Sequence, residues 1–331
     1  MNHRTLGDVG AVSEVGYGSW QIGSDWGDVS EAEAVAAVEA AREAGIDFFD
    51  TADVYGDGRS EQILGDVLEA DIAAGDVTVA TKAGRRLDPH VPEAYSETNL
   101  RQFVDRSREN LGMETLDLVQ LHCPPTDVYY RPETFDALDT LVDEGRIANY
   151  GVSVERVEEG LKALEYPGVQ SVQIIFNPFR QRPADRFLDA AAESDVGVIC
   201  RVPLASGLLT GALSRDTAFP EDDHRNYNRD GDAFDVGETF AGVPYEVGLD
   251  AADALAERAP ATDDGLSLPE LSLRWILDHD AVSTVIPGST TPEHVRSNAA
   301  VSDLAPLDEA DRDAVDDVYD ASVREHVHQR W

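Results

Sequence analysis

Short runs of β-branched and aromatic residues alternate with amphipathic segments from one end of the chain to the other, and this rhythm restricts the fold more than any other feature. The runs at 12–18, 46–50, 77–81, 116–121, 148–153, 169–175, 197–202 and 283–286 read as strands. The segments between them read as helices: 30–44, capped by Ser30 and ended by Gly45, then 61–70, 98–111, 132–144, 155–164, 184–194, 249–258, 268–278, 292–300 and 308–318. The strand runs are apolar without strict alternation, as strands covered on both faces of a parallel sheet are. Eight βα units in 331 residues predict an α/β fold, a (β/α)8 TIM barrel with a long loop after strand 7 and a C-terminal helix. A small N-terminal hairpin before the first strand also fits. Residues 1–331 are expected to form this one barrel domain. A doubly wound sheet is the alternative, but no G-x-G-x-x-G follows a strand and opens a helix.

One segment departs from the rhythm. Residues 210–247 are rich in Gly, Asp and Asn with no sustained period, and a loop of this length in a compact domain is normally a lid or a linker. Its aromatics, Phe219, Tyr227, Phe234, Phe240 and Tyr245, argue against disorder, and it follows strand seven on the face where barrel active sites lie.

Charge narrows the partners. Lys and Arg number 26 against 65 Asp and Glu, so the net charge is 26 − 65 = −39, and only Lys82 and Lys162 are lysines. With no basic stripe, nucleic acid and anionic membranes are excluded as partners. A surface this acidic is expected of a halophilic protein, because molar salt shortens the Debye length to ~3 Å and screens the self-repulsion. No run of ~18 apolar residues and no signal pattern occur, so the expected location is cytoplasmic. Cys123 and Cys200 form neither metal nor redox spacing and read as buried thiols, with Cys123 facing away from His122 by strand alternation. No metal is expected. The HVHQRW segment at 326–331 has two His at spacing two, but reads as a solvated tail.

Four polar residues fall where a barrel places catalytic groups, at the C-terminal ends of neighbouring strands. Asp50 ends strand two, Tyr55 follows in the loop, Lys82 ends strand three and His122 ends strand four. Singly, each has an ordinary reading as a cap, a packed ring or a core histidine; together they form a proton-transfer set. A phenol has pKa ~10, and a nearby cation favours its ionised form. Lys82 is therefore expected to lower the Tyr55 pKa, with Asp50 holding the ammonium and His122 hydrogen-bonding the substrate oxygen. With no nucleophile in the set, proton transfer to or from an oxygen remains, which suits carbonyl reduction, alcohol oxidation or isomerisation.

GYGSWQIG at 16–23, IDFFDTADVYGDGRSEQILG at 46–65, TK at 81–82 and LDLVQLHCP at 116–124 resemble the aldo-keto reductases. So do NYGVS at 149–153, VQIIFNPF at 172–179, VPLASGLLTG at 202–211 and IPGSTTPEHVRSN at 286–298, so the resemblance spans nearly the whole chain. It implies a TIM barrel that binds extended NAD(P)H and moves hydride directly to a carbonyl carbon, with Tyr55 as the acid and Asp50, Tyr55, Lys82 and His122 as the tetrad. It further implies cofactor contacts from Gly18, Ser19, Trp20 and Asp50, from Ser153 and Gln173 to the carboxamide, and from Leu204, Ser206 and Gly207 along the pyrophosphate. Ser289, Thr290 and Asn298 match the adenosine end. Trp20, Trp26, Tyr55, His122 and Tyr129 are the candidate substrate contacts, with Tyr130 beside them.

Several positions depart from the family pattern. Val154 stands where many members have Asn, and Arg201 where many have an aromatic that stacks on the nicotinamide. Gly288 and His294 stand where NADP-preferring members carry cations. Dual use of NADP and NAD is therefore expected, with Arg215 and Arg225 of the long loop as remaining candidate cations. The partner is a small carbonyl or sugar substrate; oligomeric state is open. Three functions fit: an aldehyde or ketone reductase, a sugar 1-dehydrogenase running oxidatively, or a cofactor-sensing regulatory subunit.

Overall fold

The computed structural model describes residues 1–23, 26, 28–258 and 265–331. Strands β1 (His3–Thr5) and β2 (Ala11–Ser13) form an antiparallel hairpin. Eight strands follow in parallel, each hydrogen-bonded to the next: β3 (Tyr17–Gly18), β4 (Phe48–Asp50), β5 (Thr78–Ala83), β6 (Leu116–His122), β7 (Ile147–Ser153), β8 (Val169–Ile175), β9 (Gly197–Arg201) and β10 (Val282–Val285). The sheet closes on itself. Val15 bridges Val285, the Gly16 N–H donates to the Val285 carbonyl at 2.8 Å, and the Gly18 N–H donates to Pro287 at 3.3 Å. This is the (β/α)8 barrel that the strand rhythm predicts.

The expected first strand at 12–18 is in fact two elements. Gly10, at φ +107°, turns the chain so that 11–13 pair backward with 3–5, and only Tyr17–Gly18 enters the barrel. The hairpin has a structural task. Leu6 and Val12 join Phe48, Ala80, Leu118, Ile199 and Ile286 in an inner cluster, with Leu6 packed on Gly197 at the start of β9. That plugs the end of the barrel opposite the strand C-termini.

Two of the helices between the strands start on caps that the sequence supplies. Ser30 and Glu33 form a reciprocal capping box on Glu31–Glu43, as Ser267 and Glu270 do on Leu268–Leu277. The insertion after β9 forms short turns whose rings cluster, with Phe219, Phe240 and Tyr245 in mutual contact. The expected solvated tail is folded instead. His328 meets the Tyr319 hydroxyl and the Asp185 carboxylate at 2.9 Å each, so its histidine pair is held by protein groups. Trp331 is buried against the Arg180 guanidinium at 3.8 Å, and its indole N–H donates to Asp235 at 2.9 Å. A tryptophan with an apolar wall and a carboxylate within reach gains more by docking than by hydration. Among the described residues, no helix is long and apolar enough to cross a membrane.

Candidate active site

Strand alternation builds the site. Phe48, Ala80 and Leu118 face the barrel interior, so Asp50, Lys82, Gln120 and His122 face it too, nearer the C-terminal mouth. On the far wall Gln173 and Arg201 do the same from β8 and β9. Lys82 Nζ donates to Asp50 Oδ2 at 2.6 Å, to the Thr51 carbonyl at 2.8 Å and to Tyr55 Oη at 3.4 Å. The other Asp50 oxygen accepts from Gln173 at 2.7 Å and Gln120 at 3.4 Å. The His122 ring meets Tyr55 edge-on at 6.0 Å, and Trp20 stacks on Tyr55 at 6.0 Å. The four residues singled out in the sequence therefore converge.

Their electrostatics correct one expectation. Burial raises the Tyr55 pKa, and the Lys82 ammonium offsets only part of that, so the phenol stays protonated near neutrality. Burial works against the Lys82 ammonium, but Asp50 and Tyr55 more than compensate and hold it charged. His122 is kept neutral, first by burial and then by Arg85, Lys82 and Arg201, and its Nδ1 has no partner among the described residues.

Two cavities meet at this point. The first is a cleft bordered by Asp50, Tyr55, His122, Ser153, Gln173 and Arg201 that runs past Leu204, Ser206 and Gly207 and along Gly18, Ser19, Trp20 and Gly288. Trp26 borders it, 5.8 Å from Trp20. Ser289, Thr290, His294 and Asn298 lie beyond its Gly288 end: Ser289 accepts the Tyr17 hydroxyl through its carbonyl, and His294 is exposed. Val154 is buried behind the wall. Arg296 pairs with Glu43 at 3.0 Å, and Arg215 with Glu246 and Asp250, so both are directed away from the cleft. Arg225 does border it, paired with Asp223 at 2.6 Å and lying over Trp26 at 4.5 Å.

The second cavity shares Trp20, Tyr55 and Glu238 with the first and adds Arg85, His90, Cys123, Thr126, Glu155 and Phe234. Cys123 faces it rather than the opposite side, because φ +45° breaks the strand alternation immediately after His122. Tyr129 is not at the mouth: it is fully buried, its hydroxyl 3.5 Å from the Ser153 carbonyl, because a short turn at Thr126–Tyr130 rotates it inward. Tyr130 is exposed and borders neither cavity. Cys123, Glu155 and Glu238 bring metal-ligand-type atoms within 4.8 Å of one another. Arg85 and Arg201 already neutralise that Glu238 carboxylate, and burial pushes the thiol up to about 11, so the trio is an ion-pair cluster.

Sequence reasoning missed Glu238, Arg85 and Asp53. Glu238 and Arg85 lie in loops without a motif. Asp53 carried a signal in its place within DTADVYG, yet neither of its buried carboxylate oxygens has a hydrogen-bond partner among the described residues. Burial, reinforced by Glu61, pushes its pKa up to about 7.

The chain belongs to the aldo/keto reductase family, whose model matches residues 14–320, and so is an oxidoreductase of that class. It is 30% identical over 313 residues to the uncharacterised oxidoreductase YqkF of Bacillus subtilis, covering 93% of this chain and 94% of that one. It is also 30% identical to the L-galactose dehydrogenase of Arabidopsis thaliana, covering 92% and 89%. The holo structure of the aldo-keto reductase AKR11C1 from Bacillus halodurans superposes with a TM-score of 0.77 at 27% identity, covering 99% of both chains.

Proposed function

We propose that the protein reduces aldehydes or ketones with NADPH or NADH, Tyr55 giving the proton to the carbonyl oxygen. One observation carries this reading: a single buried ammonium, Lys82 Nζ, lies 2.6 Å from Asp50 Oδ2 and 3.4 Å from Tyr55 Oη at the barrel mouth. The cleft fits a dinucleotide. His122 Nδ1 and Arg201 Nε border it without partners among the described residues, and the turn at 205–207, all at positive φ, brings Ser206 and Gly207 to its edge. At Gly288 a Cβ would lie 1.9 Å from the Gln21 side-chain oxygen, so a larger residue there would have to displace the Gln21 side chain.

Asp50, Trp20, Ser153, Gln173 and Arg201 would hold the nicotinamide end, Leu204, Ser206 and Gly207 the pyrophosphate, and Gly288, Ser289, Thr290, His294 and Asn298 the adenosine end. The helix Pro292–Ala300 has no side-chain cap and leaves its first N–H groups open to a phosphate. The bound dihydronicotinamide supplies the hydride. Tyr55, protonated near neutrality, gives up its proton as negative charge grows on the substrate oxygen. Lys82 then stabilises the phenolate, and Asp50 keeps the lysine charged. The neutral His122 ring hydrogen-bonds the same oxygen.

A second reading has its own support. Arg85, Thr126, Glu155 and Glu238 in the second cavity offer donors and acceptors beside the Trp20 and Phe234 rings, a lining that suits a polyhydroxylated substrate. A relative named for L-galactose oxidation points the same way. Initial rates of aldehyde reduction and of free-aldose oxidation, each with both cofactors, decide between them. Faster reduction by more than tenfold supports the first reading; the reverse supports the sugar dehydrogenase.

The net charge of −39 supports a halophilic protein. The melting temperature should rise steeply from low salt to molar KCl; a flat profile contradicts the halophilic part.

A further inference from the structure

The insertion after β9 delivers one carboxylate into the barrel mouth. Glu238 is 5% exposed and sits between two guanidiniums: its Oε1 accepts from Arg85 at 2.7 Å and its Oε2 lies 3.4 Å from Arg201. Arg85 follows β5 and Arg201 ends β9, four strands away around an eight-stranded barrel, so Glu238 spans the mouth. Arg85 has a second acid, Glu155, at 3.6 Å. For Arg201, Glu238 is the one acid within ion-pair distance among the described residues. Arg201 borders the cleft beside Tyr55 and His122, where a hydride must arrive.

An oxidised nicotinamide ring carries a positive charge and the reduced ring carries none. One guanidinium about 6 Å from that ring, at an effective dielectric of ~20, would disfavour the oxidised form by roughly a hundredfold. We propose that Glu238 sets the site's preference between the two redox forms of the cofactor, its carboxylate neutralising Arg201 so that the oxidised ring is accepted beside it. This rests on the placement of the nicotinamide against Arg201 proposed above. Glu238 is a positioning residue in this sense: it acts on the ring through Arg201.

The test is fluorescence titration of NADPH and NADP+, and of NADH and NAD+, into the wild type, Glu238→Gln, Glu238→Asp and Arg201→Gln at fixed salt. Glu238→Gln should raise the oxidised-to-reduced Kd ratio about tenfold, and Arg201→Gln should lower it. Glu238→Asp, which keeps the charge, should stay within a few-fold of wild type. If Glu238→Gln does not fold, the sign of the Arg201→Gln shift decides. A uniform change in both forms would overturn the proposal and leave the ion pair as a brace for the insertion. A wild type that binds neither form would instead refute the cofactor placement, and this proposal with it.

Discussion

The inner wall of the barrel and the loops at its mouth carry comparable chemistry on different supports. On the strands, Asp50 has every carboxylate oxygen occupied, by Lys82, Gln173 and Gln120. Three residues later in the following loop, Asp53 is just as buried and has neither oxygen occupied among the described residues. Likewise, Lys82 is fixed by the β5 backbone, whereas Glu238 is held by an insertion that depends on distant contacts. The strand layer is preorganised by the sheet, which gives each side chain its direction before any side-chain contact forms. The loop-borne groups must be held by pairing, and their ionisation and position respond to whatever pairs them.

The largest effect should come from the strand layer. Lys82→Met removes the cation proposed to stabilise a Tyr55 phenolate and leaves Asp50 buried without its charged partner. We expect kcat/KM for an aldehyde to fall by roughly 10³-fold, with a lowered melting temperature. Activity within tenfold of wild type would show that the strand layer does not carry the chemistry.

Asp53 should reveal itself through pH. Its folded pKa of about 7 lies above the usual carboxylate value, so between roughly pH 4 and 7 the folded state binds the extra proton. Stability attributable to this group is therefore greatest at low pH and falls as pH rises through that window, by up to ~4 kcal/mol. Asp53→Asn should melt well above wild type at pH 8 and close to it at pH 4. Equal differences at both pH values would mean that the carboxyl is ionised and paired.

Against the insertion, Trp331→Ala removes the indole that donates to Asp235 and packs where a Cβ on Gly242 would lie 2.5 Å from its ring. The expected costs are about 3 kcal/mol of stability and a KM raised several-fold with kcat nearly unchanged, read from melting and steady-state kinetics. A kcat loss as large as that of Lys82→Met would erase the distinction between wall and loop.

How much the sequence showed follows the same division. Asp50, Lys82 and His122 were legible because the βα rhythm located the strands whose C-terminal ends carry them, whereas Gln173 and Arg201 came only from the family resemblance. Cys123 was misplaced by one left-handed residue, since alternation ends where φ turns positive. Tyr129 was placed at the mouth, but a single short turn decides whether a loop aromatic faces in or out. Glu238 and Arg85 meet from segments 153 residues apart, and no local pattern encodes that pairing. In the tail, the outnumbering polar residues hid the two apolar groups, Val327 and Trp331, whose burial decides its fate. The split of 12–18 turned on Gly10, whose backbone permits the hairpin.

The smallest effect concerns cofactor choice. His294 is exposed at the start of the helix Pro292–Ala300. His294→Arg adds a fixed cation worth only ~0.2–1 kcal/mol at an exposed site. The NADPH-to-NADH ratio of kcat/KM should rise about fivefold or less. No change would place the 2′-phosphate elsewhere.

The proton donor is tested most directly by Tyr55→Phe, which leaves the ring between Trp20 and His122 and deletes only the hydroxyl beside Lys82. Kd for NADPH and kcat/KM for one good aldehyde, measured on the same preparation, should part: cofactor affinity within about threefold of wild type, and reduction down by at least ~10²-fold. Reduction within threefold of wild type, with cofactor bound normally, would remove Tyr55 from the mechanism.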